Sequence, residues 1–121
     1  MSIVKKRLAP NYEWENCELV TYSDSPTVKG ITKRVLIGPN DGAEGFAMRY
    51  FEVQPGGNSL LERHPWIHQV FVVRGRGTVL IGNDWHDIAE GDVIFIGPDD
   101  QHQLKAAPDE LLGFLCVAAK P

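Results

Sequence analysis

Turn signals recur so often in this chain that they leave room for little except short strands. Gly38-Pro39-Asn40-Asp41-Gly42, Pro55-Gly56-Gly57, Gly75-Arg76-Gly77, Gly82-Asn83-Asp84, Glu90-Gly91-Asp92 and Gly97-Pro98-Asp99-Asp100 follow one another at close spacing. The segments between them favour β-branched and aromatic residues, and none carries the 3.6-residue apolar period of a helix. The expected strands are Glu18 to Tyr22, Ile31 to Ile37, Phe46 to Val53, His68 to Arg74, Thr78 to Ile81, Trp85 to Ala89, Val93 to Ile96, Gln101 to Ala106 and Leu111 to Ala119. Gly75-Arg76-Gly77 reads as a tight hairpin between the fourth and fifth of these. The pattern predicts an all-β sandwich or barrel of about nine strands.

A length of 121 residues suits one domain with a real core. The net charge of −4 gives no reason to expect nucleic acid or an anionic membrane as partner. Lys5-Lys6-Arg7 reads as a solvated tail. No stretch approaches the roughly 18 apolar residues of a membrane span, and the basic N-terminus lacks the apolar core of a signal peptide. The cytoplasm is the default location. Cys17 and Cys116 are too far apart for a metal pair, and Cys116 in its apolar run reads as a buried, inert thiol. Val70-Phe71-Val72-Val73 and Val93-Ile94-Phe95-Ile96 are apolar on both faces, so a second surface should cover them: a partner subunit in a homodimer, or N-terminal strands of the same chain.

The chain has four histidines: His64, His68, His86 and His102. Glu62 and His64 are two apart, so on extended chain they share a side. His68 follows the bend that Pro65 favours, and His102 opens a later strand. These residues can converge inside a barrel, whereas His86, between Asp84 and Asp87, reads as a surface residue. Arg49 shares a strand face with Ala47, Phe51 and Val53. If that face is inward, Arg49 is a candidate clamp for a carboxylate substrate, with Phe51 beside it. If Phe46, Met48 and Tyr50 point in, Arg49 is on the surface. Trp66, between two candidate ligands, belongs to a pocket mouth or to the core.

The run from Pro55-Gly56-Gly57 through Glu62-Arg63-His64-Pro65-Trp66-Ile67-His68 to Gly75 resembles the first cupin motif, although Gly57 stands one residue short of the usual gap. Glu90-Gly91-Asp92 through Gly97-Pro98 to His102 resembles the second. The resemblance covers about residues 46 to 117, with residues 1 to 44 as N-terminal strands and tail of a single domain, 1 to 121. It implies a double-stranded β-helix, or jelly-roll, barrel. It also implies a metal site of Glu62, His64, His68 and His102. Glu62 replaces the first histidine of the family's pair, and His68 replaces the usual glutamate, as in small cupins with His-Pro-Trp-x-His.

Imidazoles with one carboxylate suit a divalent transition metal: Fe, Mn, Ni, Cu, Co or Zn. The resemblance implies a metal-dependent enzyme on a small carboxylate, diketone or hydroxylated molecule, with dioxygenase-like chemistry preferred and Glu62 as base if it is not a ligand. A lyase, isomerase or decarboxylase on the same metal, a non-catalytic binding module and a metal-free assembly cupin are the alternatives.

Overall fold

The computed structural model describes residues 2–119. Its strands are β1 (Glu18–Thr21), β2 (Lys29–Ile37), β3 (Ala47–Asn58), β4 (His68–Ile81), β5 (Asp84–Ala89), β6 (Val93–Ile96), β7 (His102–Ala106) and β8 (Leu112–Ala118), and a 3-10 turn, Pro39–Asp41, is the one helical element among the described residues. All strand pairs are antiparallel. One layer runs β1-β2-β3-β8, then the first half of β4, then β6. The facing layer is the second half of β4 between β5 and β7, extended by a bridge from His102 to Glu62. This is a jelly-roll barrel.

Eight strands replace the expected nine because Gly75-Arg76-Gly77 is not a hairpin. The two halves of β4 do not pair with each other. His68 to Gly75 lies against β8, and Gly77 to Ile81 lies against β7. A straight strand of this length would span about 45 Å. Instead its ends meet: Ile81 pairs with His102, and the His68 and His102 rings are 5.2 Å apart. The glycines let β4 bend from one layer into the other under a neighbouring backbone. Gly75 has φ +76, and a Cβ there would overlap the Leu111 carbonyl oxygen; one at Gly77 would overlap that of Lys105. Pro55-Gly56-Gly57 acts similarly, so β3 does not stop at Val53 but runs on to Asn58.

Period-2 alternation fills the space between the layers. In β4, His68, Val70 and Val72 point in while Gln69 and Phe71 point out; in β6, Ile94 and Ile96 point in while Val93 and Phe95 point out. Val53, Val72 and Leu112 are fully buried at the centre of the core. The face Ala47, Arg49, Phe51, Val53 is the inner one, so Arg49 lies inside the barrel. Tyr50, on the outer face, is nevertheless 1% exposed because Tyr12 and Trp14 of the N-terminal segment pack on its ring. That segment is no solvated tail at Lys5, whose ammonium pairs with Asp41 at 2.9 Å with 9% of the side chain exposed. Among the described residues no helix is long and apolar enough to cross a membrane.

Candidate metal centre

The bend in β4 brings the starts of β4 and β7 and the Glu62–His64 segment to one end of the barrel. Glu62 and His102 exchange both backbone hydrogen bonds (3.0 and 2.9 Å), so they stand directly opposite each other with side chains on one face. His64, two residues on, extends to the same side, and His68 reaches across from the other layer. Each of the four offers a ligand atom, and these atoms all lie within 4.8 Å of one another. His68 Nε2 is 2.9 Å from His64 Nε2, and Glu62 Oε2 is 3.4 Å from His64 Nε2 and 3.9 Å from His102 Nε2. The two buried histidines, His68 and His102, form the inner side; the Glu62 side chain, 41% exposed, forms the solvent side.

The donor chemistry fits a metal ion. His64 Nδ1 lies 3.0 Å from the Trp66 carbonyl oxygen and His102 Nδ1 lies 2.9 Å from that of Asp100. A carbonyl only accepts, so both Nδ1 atoms carry the proton and both Nε2 atoms turn a lone pair toward the cluster. Donor atoms about 2 Å from one ion stand about 3 to 3.5 Å apart, and the His64–His68 and Glu62–His64 pairs are at 2.9 and 3.4 Å. Without an ion, His68 Nε2–H donates to His64 Nε2 and Arg49 donates toward His68 Nδ1 at 3.4 Å. Were His68 to hold a metal through Nε2, its proton would sit on Nδ1, with Cys116 Sγ, 3.1 Å away, as the acceptor. Burial first, and the Arg49 charge second, push His68 down to about 3 and keep it neutral, the form a metal ligand needs.

The cluster opens into a cavity of about 180 Å³ between the layers. Arg49, Phe51 and Cys116 line it, as do Glu62, His68 and His102. Arg49 stands opposite Cys116 in register and donates from Nη2 to its sulfur at 3.1 Å. Phe51 stacks on Phe114 with ring centroids 5.2 Å apart. Trp66 is placed differently. It stacks on His64, with centroids 4.2 Å apart and planes 7° from parallel, and is outside the cavity wall. Its ring and its carbonyl together fix the His64 orientation. His86 is exposed, as expected.

Cys116 is the residue that sequence reasoning undervalued. It is buried, as expected of a thiol in an apolar run, but it touches a candidate ligand and a cavity arginine at once. Burial pushes its thiol up, while Arg49 pulls the other way. Alternation along β8 puts Cys116 on the same face as Phe114, the only local signal; its neighbours depend on the register with β3 and β4.

Comparison with known proteins agrees with this architecture. The family model described as a cupin domain matches residues 49–118. A Rhodospirillum rubrum protein named 1-methylthio-D-xylulose 5-phosphate methylsulfurylase is 40% identical over 108 residues, 88% of this chain and 68% of that one. Among solved structures, a cupin 2 conserved barrel domain protein from Rhodopseudomonas palustris superposes with a TM-score of 0.84 at 35% identity, covering 96% of this chain and 79% of that one. The polyketide cyclase RemF from Streptomyces resistomycificus superposes with a TM-score of 0.79 at 28% identity, covering 98% and 78%. With its jelly-roll barrel, its four-donor cluster and the family model across most of its strands, the chain belongs to the cupin family.

Proposed function

We propose that this protein is a metal-dependent enzyme acting on a small, oxygen-rich molecule inside the barrel. The observation that carries the reading is the convergence of Glu62, His64, His68 and His102 on one point at the cavity. A divalent transition ion held there (Fe, Mn, Ni, Cu, Co or Zn) would supply Lewis-acid polarisation of substrate oxygens. The chain's own groups do the rest. Neutral imidazoles present lone pairs in fixed orientation. The apolar walls exclude water. Glu62, the one carboxylate on the cavity wall among the described residues, would take or return a substrate proton at Oε2 when it is not a ligand.

Two reaction types use these parts. Dioxygenase-like oxidation needs no acid, base or nucleophile beyond the ligand set. Lyase or isomerase chemistry needs a proton acceptor such as Glu62, and the 40% identical relative, named for a methylsulfurylase acting on a sugar phosphate, favours this second reading. The test is reconstitution with each ion, then turnover of diketones, catechols, hydroxy acids and methylthio sugar phosphates with and without oxygen. Turnover only in air supports the dioxygenase; turnover without oxygen supports the lyase or isomerase. Ligand binding without turnover identifies a binding module, and failure to take up any ion sinks the metal-dependent mechanism.

The same reading places the protein in the cytoplasm, where two widely separated free thiols are stable, and as a homodimer. Val93 is 78% exposed, Phe95 60% and Phe71 46% on one outer sheet face, with Met48 beside them. Sedimentation of the wild type as a dimer and of Phe95→Glu as a monomer would support the homodimer; a monomeric wild type would refute it.

A further inference from the structure

Arg49 is a charged group that the four-donor cluster does not employ. Its Nη2 donates to Cys116 Sγ at 3.1 Å and faces His68 Nδ1 at 3.4 Å, and the guanidinium lies 5.2 Å over the Phe51 ring. Its Nε is buried and has no hydrogen-bond partner. Among the described residues no carboxylate pairs with it, whereas Arg34, Arg74 and Arg76 each meet one. A guanidinium stays charged at every accessible pH. Holding one on a largely apolar wall is unfavourable unless an opposite charge sits beside it. The register sets Arg49 opposite Cys116 on the inner face, where the side chain is half-buried on the cavity wall with Nε fully covered. Away from the four-donor cluster the wall is mostly apolar, with Val28, Ile31, Leu104 and Phe114 on it, and Ser59 and Tyr22 bring hydroxyl groups to it. Hydroxyl groups on a ligand would meet no partner on Val28, Ile31 or Leu104.

We propose that Arg49 seats a carboxylate of the ligand, and that the ligands of this cavity are small carboxylates whose carbon skeleton packs on the apolar wall and whose other oxygens face the four-donor cluster. The inference rests on the reading of the cavity as the substrate site and names the substrate class within it. The planar fork of arginine matches a carboxylate, and the free Nε supplies the side-on donor that such a pair uses. The carboxylate would supply the counter-charge that the fold leaves out.

The test uses chelator-treated, metal-free protein and reads melting temperature. The probes are 4-methylpentanoate and benzoate, their amides as uncharged controls, and phenyl phosphate. The carboxylates should raise the melting temperature by several degrees at millimolar concentration, with the amides giving little or none. Arg49→Met should abolish that shift without lowering the melting temperature of the ligand-free protein, because it removes a half-buried charge that no carboxylate offsets. Arg49→Lys, with charge but no fork, should keep a smaller shift. Equal response to acids and amides, no response, a shift that survives in Arg49→Met, or a marked loss of stability in that variant overturns the proposal. Phenyl phosphate acting where the carboxylates do not overturns the carboxylate assignment. Protein that takes up no metal but keeps the Arg49-dependent shift sinks the metal-centred reading alone. Protein that takes up metal but shows no such shift sinks the carboxylate seat alone.

Discussion

At the histidine end of the cavity, His64 and His102 are each held by a backbone carbonyl two residues away in sequence, and Glu62 is pinned opposite His102 by paired backbone hydrogen bonds. At the other end, Arg49 is held by a thiol and an aromatic face, with Nε unpartnered. Both ends are polar groups within an apolar barrel, but the first is satisfied by short-range backbone and the second is not. The difference is one of preparation. The histidine end keeps its lone pairs oriented for a cation with little reorganisation, whereas the Arg49 end holds a charge that its surroundings leave uncompensated. His68 and Cys116 connect them, since His68 offers one ring nitrogen to each end.

Breaking the first end should have the largest effect. The double variant His64→Ala/His102→Ala should lose all metal that the wild type retains, read by plasma mass spectrometry after reconstitution; retention of one equivalent would remove the cluster as the metal site. Acid should act next, through His68. The free imidazole titrates near 6.5 and the folded one is pushed down to about 3, so the unfolded chain binds more protons between those values. Stability of the metal-free protein should therefore fall as pH drops from 6.5 toward 3. Arg49→Met removes the second cause of the shift and should make that fall shallower, as chemical denaturation at stepped pH would show.

The connection itself can be cut more gently. Cys116→Ala takes the sulfur from both His68 and Arg49, and should cost about 1–3 kcal/mol for the polar atoms left unpaired and about 10–100-fold in metal affinity. An unchanged affinity would mean that His68 does not use this acceptor. The smallest effect belongs to Trp66. Trp66→Ala removes the ring stacked on His64 but not the carbonyl that holds it, so a loss of about 0.5–1.5 kcal/mol beyond the lost burial is expected. Metal content should persist, and Trp66→Phe should restore most of the stability.

Much of this was legible before any coordinates. Spacing and strand starts allowed only a possible histidine cluster inside a barrel, and it was the resemblance to the cupin motifs that singled out Glu62, His64, His68 and His102 as a set. The inward face of β3 was not legible, since two registers of the same alternation fit equally well and they exchange Arg49 for Tyr50 in the core. Trp66, expected at a pocket mouth or in the core, instead stacks on His64 outside the cavity wall. Cys116 was read as inert because nothing local marks a thiol as the neighbour of Arg49 and His68.

The sequence by itself determined the all-β character, the alternating faces and the supply of three imidazoles and a carboxylate, because these follow from residue type and a period of two. Only the tertiary structure decided that Gly75-Arg76-Gly77 bends one strand across the barrel rather than closing a hairpin. It also decided that His68 meets His102, that Arg49 faces Cys116, and that Tyr12 and Trp14 bury Tyr50. The physical reason is that glycine permits both a turn and a close backbone approach. Which of the two occurs depends on strands far away in sequence, here β7 and β8, that lie against β4.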